Sequence, residues 1–219
     1  MERRASIKDV IESLGPPHTE IGSIEVDGRE TDFGHLLLPG QEADVFPVVP
    51  PLDVTRATRL RPAPLPRPAF VVDVNVGRLA RWLRMLGLDA AYDPTWSGAD
   101  IAALAAASGR AVLTGDTLLL KRNAVTHGRL VRAAHPEDQL LEVLAFFGLR
   151  GPFALFTRCL DCNGLLRPVP KNEILHRLEP LTRRYYFEFS ICRSCRRVYW
   201  RGSHHERMLL ALERLGLAH

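Results

Sequence analysis

Four cysteines near the end of the chain form two closely spaced pairs, and their spacing predicts metal chemistry. They are the only cysteines among the 219 residues: Cys159, Cys162, Cys192 and Cys195. Each pair has C-x2-C spacing, and a gap of 29 residues separates the pairs. Two such pairs complete a tetrahedral thiolate shell around Zn²⁺. The pattern therefore predicts a structural zinc ion, because a closed four-cysteine shell leaves no open position for catalysis.

Two other roles for these cysteines stay open, namely a disulfide framework and a redox-active pair. A disulfide framework suits small secreted domains, but no signal-peptide pattern opens this sequence. A redox C-x-x-C usually occurs once, near a βαβ unit. His204 and His205 are weaker candidates for zinc ligands, since four cysteines are present. Reduced thiols and the lack of a signal peptide predict a cytoplasmic protein.

Three carboxylates are candidates for a second metal site. Asp73 and Asp116 each follow an apolar, strand-like run, and Asp100 lies near the start of a predicted helix. In open parallel sheets, ligands bind at the carboxyl ends of the strands. Carboxylate oxygens are the ligands that Mg²⁺ and Mn²⁺ prefer, and such ions activate water for phosphodiester cleavage.

Each acid also has an ordinary structural interpretation. Asp100 is equally consistent with an acid in the first turn of a helix, where the macrodipole stabilises it. Asp116 is consistent with an N-cap. Asp73 is harder to explain in this way, because a partly buried carboxylate needs partners.

Three arginines follow Asp73 at intervals of three residues: Arg78, Arg81 and Arg84. This spacing predicts neighbouring positions on adjacent turns of one helix. Arginine binds phosphate oxygens in a forked geometry, so the three are candidates for contact with an RNA backbone. A solvated basic helix face is the alternative. Trp82, between them, is assigned to a core or interface role ahead of base stacking.

Residues 69–150 alternate between strand-like and helix-like patterns, which predicts a parallel α/β sheet flanked by helices. Strands are expected over residues 70–73, 88–92, 110–114 and 129–132. The expected helices are 76–86, 97–107 and 136–147. Residues 151–219 are expected to form the zinc ribbon and a C-terminal helix.

The N-terminal part divides into a small domain over residues 1–50 and a proline-rich linker over 51–68. The linker and the residues just before it, 47–68, contain seven prolines, which favour an extended, semi-rigid chain. Residues 6–15 predict a helix, and 21–28 predict a strand that closes on an Asp-Gly turn. Helix, strand and turn in this order resemble the later part of a β-grasp, ubiquitin-like fold. The opening hairpin of that fold has no counterpart before Ser6, and a terminal Gly-Gly is absent.

Charge is distributed unevenly along the chain. Residues 1–55 have 4 basic and 11 acidic side chains, whereas residues 56–150 have 13 and 8, and residues 151–219 have 12 and 6. A basic body favours a polyanionic partner. No apolar run reaches the roughly 18–20 residues of a transmembrane helix, so no membrane partner is expected.

The motifs together resemble a known family. The runs VDVNVGRLARWLRMLGLDAAYDP and ADIAALAAASGRAVLTGDTLLL, followed by the two C-x2-C pairs and YWRGSHHERM, are similar to the PIN-like RNase family named for the C-terminal region of the Mut-seven exonuclease. The resemblance covers nearly the whole chain. It implies a PIN-like α/β domain before a zinc ribbon, and many bacterial members carry a ubiquitin-like domain in front.

The family resemblance implies metal-dependent ribonuclease activity, with the motif acids at Asp73, Asp100 and Asp116. One position departs from the family, which commonly has Thr-Arg-Asp where this chain has Thr-Gly115-Asp116. The lost arginine bears on phosphate binding, and Lys121 or Arg122 is a candidate replacement.

The leading hypothesis is a ribonuclease that uses Mg²⁺ or Mn²⁺ and whose zinc ribbon helps to bind RNA. On the ribbon, the candidate RNA contacts are Arg193, Arg196, Arg197, Tyr199 and Trp200. The alternative is a non-catalytic RNA- or ribosome-binding module with a degenerate PIN-like domain. A further hypothesis makes the ubiquitin-like segment a docking site for a protein partner, and another folds this acidic segment back onto the basic body.

Overall fold

The computed structural model describes residues 5–218. These residues form two compact units. The first unit comprises residues 5–79 together with Tyr92–Leu149. The second comprises Ala80–Ala91 together with residues 150–218. The division differs from a simple succession of domains, because a short internal stretch belongs with the C-terminal third.

The N-terminal domain is one helix against a small antiparallel sheet. Its elements are α1 (Ile7–Ser13), β1 (Ile21–Val26), β2 (Arg29–Glu30) and β3 (Ala43–Pro47), with the strand order β2-β1-β3. Ser6 caps α1 in a reciprocal capping box with Asp9, which satisfies free N–H groups at the start of the helix. The predicted helix and the predicted strand are confirmed.

A four-stranded sheet forms the centre of the fold and has the strand order β5-β4-β6-β7. Its strands are β4 (Ala69–Val72), β5 (Asp89–Ala91), β6 (Ala111–Thr114) and β7 (Gly128–Leu130). Its helices are α2 (Gly77–Met85), α3 (Gly98–Ser108), α4 (Thr117–Leu120) and α5 (Pro136–Phe146). The predicted alternation of strands and helices is confirmed, and so is the parallel pairing of β4 with β6 and of β6 with β7.

The two central strands explain why their sequences are continuously apolar. Every residue of β4 and of β6 is buried, as expected for a parallel sheet that is covered on both faces. Val72 pairs with Leu113. The next residue of each strand, Asp73 and Thr114, therefore lies at the same carboxyl edge of the sheet.

The fourth strand begins and ends earlier than predicted. β7 ends at Leu130, whereas the apolar pattern predicted 129–132. Gly128 pairs with Val112, where close packing selects glycine: a Cβ at Gly128 would lie 2.6 Å from Leu120 Cδ2. Such a tertiary constraint is invisible to periodicity.

The proline-rich residues 51–68 pack against the N-terminal domain, within the first unit. Leu60 belongs to the core of the N-terminal domain. Arg61 is almost fully buried, and its Nη2 donates to the carbonyl oxygens of Thr19 (2.7 Å) and Ile21 (2.9 Å). Burial lowers the pKa of Arg61 to about 10. These contacts hold the stretch in place rather than leaving it as a spacer.

Polar contacts also join the N-terminal domain to the parallel-sheet domain within this unit. Glu20 lies 3.1 Å from Arg129 Nη1 and 2.8 Å from Arg132 Nη2. His18 Nε2 donates to the carbonyl of Val125 at 2.6 Å. The acidic N-terminal domain therefore contacts basic residues of the body, which supports the hypothesis that it folds back onto that body.

The C-terminal region contains a three-stranded antiparallel sheet of order β10-β9-β8 and a final helix. Its elements are β8 (Leu166–Val169), α6 (Lys171–Ile174), α7 (Pro180–Tyr185), β9 (Phe189–Cys192), β10 (Val198–Trp200) and α8 (Ser203–Arg214). Its small core consists of Val169, Ile174, Leu178, Phe189 and Ile191. The C-terminal helix was expected, whereas α6 and α7 were not.

None of the helices over residues 5–218 is long and apolar enough to cross a membrane.

Candidate metal centres and active site

The four cysteines converge on one point, as their spacing predicted. All four Sγ atoms lie within 4.8 Å of one another. The distance is 3.6 Å from Cys159 to Cys195 and 3.4 Å from Cys162 to Cys192. A tetrahedron with Zn–S bonds of about 2.3 Å has sulfurs about 3.8 Å apart, so the cluster fits a structural zinc ion. Over residues 5–218, no other group of three or more His, Cys, Asp or Glu side chains meets this proximity.

Backbone geometry after the first cysteine pair brings the two pairs together. Asn163 has a φ of +67°, in the left-handed region that asparagine tolerates better than most residues. A Cβ on Gly164 would lie 2.6 Å from Ser194 Oγ and 2.9 Å from Cys192 Sγ. Glycine is therefore required where the first turn passes close to the second.

The surroundings of the sulfurs shift the pKa values of the thiols in opposite directions. Burial opposes the Cys192 thiolate, but backbone N–H groups of Cys195 and Ser194 outweigh it and lower the pKa of Cys192 to about 7. Desolvation, reinforced by the neighbouring sulfurs, raises the pKa of Cys162 to about 12. Zinc must therefore displace at least one tightly held proton on binding.

Tyr199 is part of the cysteine cluster's surroundings. Its hydroxyl lies 3.0 Å from Cys159 Sγ. Burial and this hydrogen bond raise the pKa of the Tyr199 phenol, which remains protonated and can donate to the sulfur. The phenol hydroxyl thus orients and stabilises a ligand of the cysteine cluster.

Arg84 is a correction to the sequence-based prediction. It was expected to contact RNA phosphates, but only 2% of its surface is exposed. Its Nε donates to the carbonyl of Ala90, and its Nη1 donates to the carbonyls of Leu160 (3.0 Å) and Asp161 (2.7 Å), inside the first cysteine turn. The last arginine of the GRLARWLR run therefore positions the zinc ribbon.

A second contact network ties the same turn to residues 80–91. Asn163 Nδ2 donates to Asp89 Oδ1 at 2.7 Å, and the Ala90 N–H donates to Asn163 Oδ1 at 3.1 Å. Arg158 lies 3.4 Å from the Asp89 carboxylate and donates to the Gly87 carbonyl. These bonds explain why residues 80–91 belong to the same compact unit as the ribbon.

We expect Arg84→Met to lower the free energy of unfolding by about 3 kcal/mol, because it leaves one buried and two partly buried carbonyls without their donor. Chemical denaturation followed by circular dichroism measures this loss. Arg81→Met is the matched control, because Arg81 is exposed on the same helix. Equal stability of the two variants would contradict the structural role of Arg84.

At the carboxyl edge of the parallel sheet, Asp73 lies in a dense hydrogen-bond network. Its Oδ1 accepts from the Val74 N–H at 2.7 Å. Its Oδ2 accepts from Asn75 Nδ2 and from the Thr114 hydroxyl, both at 2.7 Å. The carboxylate is only 8% exposed. The network fixes its orientation and leaves lone-pair capacity on Oδ1.

Asp116 is joined to Asp73 through Thr114. The Thr114 hydroxyl donates to Asp73, and its oxygen accepts the Asp116 N–H at 2.9 Å. Asp116 is exposed and is the N-cap of α4, where its Oδ1 accepts the Leu118 N–H. The structural interpretation as a cap is therefore correct, and Oδ2 of this exposed carboxylate has no described hydrogen bond.

Asn75 completes this edge beside the position where the family arginine is replaced. Its Oδ1 accepts the Gly115 N–H at 2.9 Å. Of the two candidate replacements for that arginine, Lys121 donates to the Glu12 carbonyl at 2.5 Å, in the N-terminal domain. Arg122 is exposed and lies near Gly98. Arg122 is therefore the more available of the two cations.

Asp100 has the structural role that the sequence offered as the alternative to metal binding, in the first turn of a helix. It forms a capping box with Ser97, whose hydroxyl donates to Asp100 Oδ2 at 2.6 Å. The Ser97 hydroxyl and N–H lower the pKa of this exposed carboxyl. The structure brings Asp73 and Asp116 together through Thr114 but gives Asp100 no described bond to either.

The remaining arginines predicted to contact RNA lie on helix α2 and on the ribbon. Arg78 and Arg81 are exposed on α2, as RNA contact requires. Arg196 is also exposed, whereas Arg197 forms an ion pair with Asp161. Sequence reasoning missed Thr114 and Asn75, although a threonine two residues before one acid and an asparagine two residues after the other were visible signals.

An α/β sheet with acids at its carboxyl edge, followed by an antiparallel sheet with a four-cysteine cluster, defines the class of this protein. A model of the Mut7-C RNAse domain family matches residues 68–212, about two thirds of the chain, and a model of the Mut7-C ubiquitin domain matches residues 1–53. The chain therefore belongs to the Mut7-C RNAse domain family, which implies a ribonuclease with RNA as its substrate. Neither a curated protein nor a solved structure matches significantly.

Proposed function

We propose that the protein is a Mg²⁺- or Mn²⁺-dependent ribonuclease whose metal site is built on Asp73 and Asp116. The observation that carries this proposal is the hydroxyl of Thr114, which donates to the Asp73 carboxylate and accepts the main-chain N–H of Asp116 at the carboxyl edge of β4 and β6. Ligand sites of open parallel sheets lie at this edge.

The donor set suits a hard divalent cation. Mg²⁺ usually binds through one or two carboxylates, keeps several waters and takes substrate phosphate oxygens. Asp73 retains lone-pair capacity on Oδ1, and the exposed Asp116 carboxylate uses Oδ1 for its described hydrogen bond. When bound, such an ion lowers the pKa of a coordinated water and stabilises charge on phosphate oxygens.

The residues of the chain contribute orientation and charge. Asn75 and Thr114 hold the Asp73 carboxylate in one rotamer. Arg78, one turn into the helix after Asp73, is an exposed cation for the RNA backbone. Arg122 compensates for the arginine that Gly115 replaces, since Lys121 is engaged elsewhere.

The zinc ribbon assists by binding RNA through its basic side chains, and Arg196 is an exposed contact of this kind. The thiolate-rich zinc site requires reduced cysteines, which suits a cytoplasmic location. A protein partner for the ubiquitin-like segment remains a separate hypothesis, tested by a pull-down with and without residues 1–50.

The proposal is tested by cleavage of a single-stranded RNA after dialysis against a magnesium-free, zinc-containing buffer. We expect no cleavage until Mg²⁺ or Mn²⁺ is added. Full cleavage without either ion would contradict the metal site. RNA binding without cleavage in both ions would instead support the non-catalytic RNA- or ribosome-binding module.

The assignment of Asp100 as a third metal ligand is tested against its capping role. Asp100→Asn and Ser97→Ala both break the capping box and should each cost about 1 kcal/mol of stability. A metal ligand predicts that only Asp100→Asn also lowers cleavage, by about a hundredfold. Equal activity of the two variants, measured at saturating Mn²⁺, would exclude Asp100 from the metal site.

A further inference from the structure

One end of the ribbon sheet lies where β8 stops and β9 begins. β8 and β9 pair Val169 with Phe189 there; Lys171 follows β8 by two residues, at the start of α6, and Phe187 precedes β9 by two residues. The two are in contact, because Lys171 Nζ lies 4.2 Å from the centre of the Phe187 ring. This end of the sheet therefore holds side chains that its strand boundaries do not include.

The same end carries aromatic rings that the protein leaves in solvent. Phe187 is 74% exposed and Tyr185 is 62% exposed. Tyr186, between them, is half-buried and packs against the ribbon core and near Trp200, with ring centres 6.4 Å apart. Tyr185 is the last residue of α7, and the exposed rings of Tyr185 and Phe187 flank Tyr186, which packs against the core.

We call this region the aromatic end, defined by Tyr185, Phe187 and Trp200 with the cations Lys171 and Arg184. Trp200 pairs with Phe189 across β9 and β10 and is itself exposed. The Arg184 guanidinium lies 5.4 Å from the centre of the Tyr185 ring. Phe187 and Tyr185 thus each have a cation over the ring.

The ribbon sheet that carries the aromatic end is basic as a whole. Residues 166–201 contain nine Lys and Arg side chains against three Glu. Exposed aromatic rings interleaved with cations are the features by which proteins bind single-stranded nucleic acid, with bases stacked on rings and phosphates near cations. A protein partner would call for a more apolar, less charged core of the surface.

The aromatic end is distinct from the RNA surface that the sequence suggested. Cys192 lies at the other end of β9, five residues from Phe187, or about 17 Å along an extended strand. Arg193 and Arg196 lie beside the cysteines, and the Tyr199 hydroxyl is hydrogen-bonded to Cys159 Sγ. Of that predicted group, only Trp200 belongs to the aromatic end.

We propose that the aromatic end binds single-stranded RNA by stacking bases on Tyr185 and Phe187, with Lys171 near the backbone phosphates. This inference rests on the proposed ribonuclease function for its ligand and deepens it by naming a binding surface for unpaired bases. Stacking on rings is tolerant of sequence, so the surface selects unpaired strands and not a particular sequence.

The test measures binding of fluorescein-labelled U15 RNA by anisotropy, using full-length, zinc-loaded protein in an Asp73→Asn, Asp116→Asn background. A gel confirms that the RNA stays intact. Tyr185→Ala with Phe187→Ala is expected to weaken U15 binding at least tenfold. An abasic oligomer of the same length and charge should bind the two proteins equally, since it has no bases to stack.

Two matched variants separate stacking from charge and from loss of exposed apolar surface. Lys171→Met should reduce the slope of log K against log salt by about 0.7, the value for one phosphate contact on a single strand. Leu14→Ala removes an equally exposed apolar side chain from the N-terminal domain and should leave U15 binding unchanged.

Unchanged U15 affinity of the Tyr185, Phe187 double variant overturns the proposal, and so does equal affinity of the parent protein for U15 and the abasic oligomer. Cleavage by protein with intact acids is scored separately. If the double variant loses U15 affinity but no Mn²⁺-dependent cleavage is observed, the binding surface is supported and the ribonuclease proposal is contradicted. If cleavage is observed but the double variant binds U15 unchanged, the ribonuclease proposal is supported and the binding surface is contradicted.

Discussion

Asp73→Asn is expected to lower kcat/KM for RNA cleavage by about a hundred- to a thousandfold, the largest effect of any single substitution in the parallel-sheet domain. Asp73 Oδ1 and Oδ2 together accept three hydrogen bonds. An asparagine amide brings two N–H donors to one of these positions, where donors already point. The substitution therefore removes both the negative charge and the orientation of the ligand.

Loss of activity in this variant must be separated from loss of structure, since a buried network is disturbed. We expect a destabilisation of about 1–3 kcal/mol for one donor left without an acceptor. Asp116→Asn resolves the ambiguity. Asparagine is as good an N-cap as aspartate, so Asp116→Asn should keep its stability while its cleavage rate falls by a similar factor.

Asp93→Asn is a matched negative control. Asp93 accepts from Thr95 in a local turn, where asparagine is well tolerated. Single-turnover cleavage at saturating Mn²⁺ and thermal unfolding are measured for all three variants. Wild-type cleavage by Asp73→Asn and Asp116→Asn would refute the metal site, whatever their stabilities.

Cys192→Ser is expected to abolish stoichiometric zinc binding and to unfold the ribbon. The free energy of zinc binding in small structural sites is about 10–16 kcal/mol at neutral pH, which exceeds what a small core can supply. The ribbon core contains only five buried residues, among them Phe189 and Ile191. The metal is therefore expected to provide most of the stability of this sheet.

Zinc content is measured with a chromogenic chelator, and ribbon order by the rate of trypsin cleavage, since residues 151–219 contain 12 Lys and Arg side chains. Ser194→Ala is the control, because Ser194 lies between Cys192 and Cys195. Retention of one zinc ion per chain and slow proteolysis in Cys192→Ser would show that three cysteines and the sheet suffice.

Local patterns in the sequence predicted much of this fold because the energies concerned are local. Burial of β4 and β6 on both faces requires continuous apolar runs, and the Ser97–Asp100 capping box requires its spacing of three. Cysteine spacing likewise reflects the geometry of one metal ion.

The role of Arg84 shows where the same reasoning failed. A helix turns about 100° per residue, so a step of six residues rotates a side chain about 120° away from its starting direction. Arg78 and Arg84 therefore point to different sides of α2, and Arg84 turns inward. Helix geometry alone separates Arg84 from Arg78, but the inward role of Arg84 depends on its partners in the first cysteine turn, the carbonyls of Leu160 and Asp161.

The sequence by itself determined the chemistry available to this protein: four thiolates for zinc, acids after two apolar strands, and a basic C-terminal third. Only the tertiary structure decided how these groups are used. The register of β4 and β6 places Thr114 between Asp73 and Asp116, and the register of the ribbon gathers Lys171, Phe187 and Trp200 at one end. Strand register depends on packing between segments distant in sequence, so no local pattern contains it.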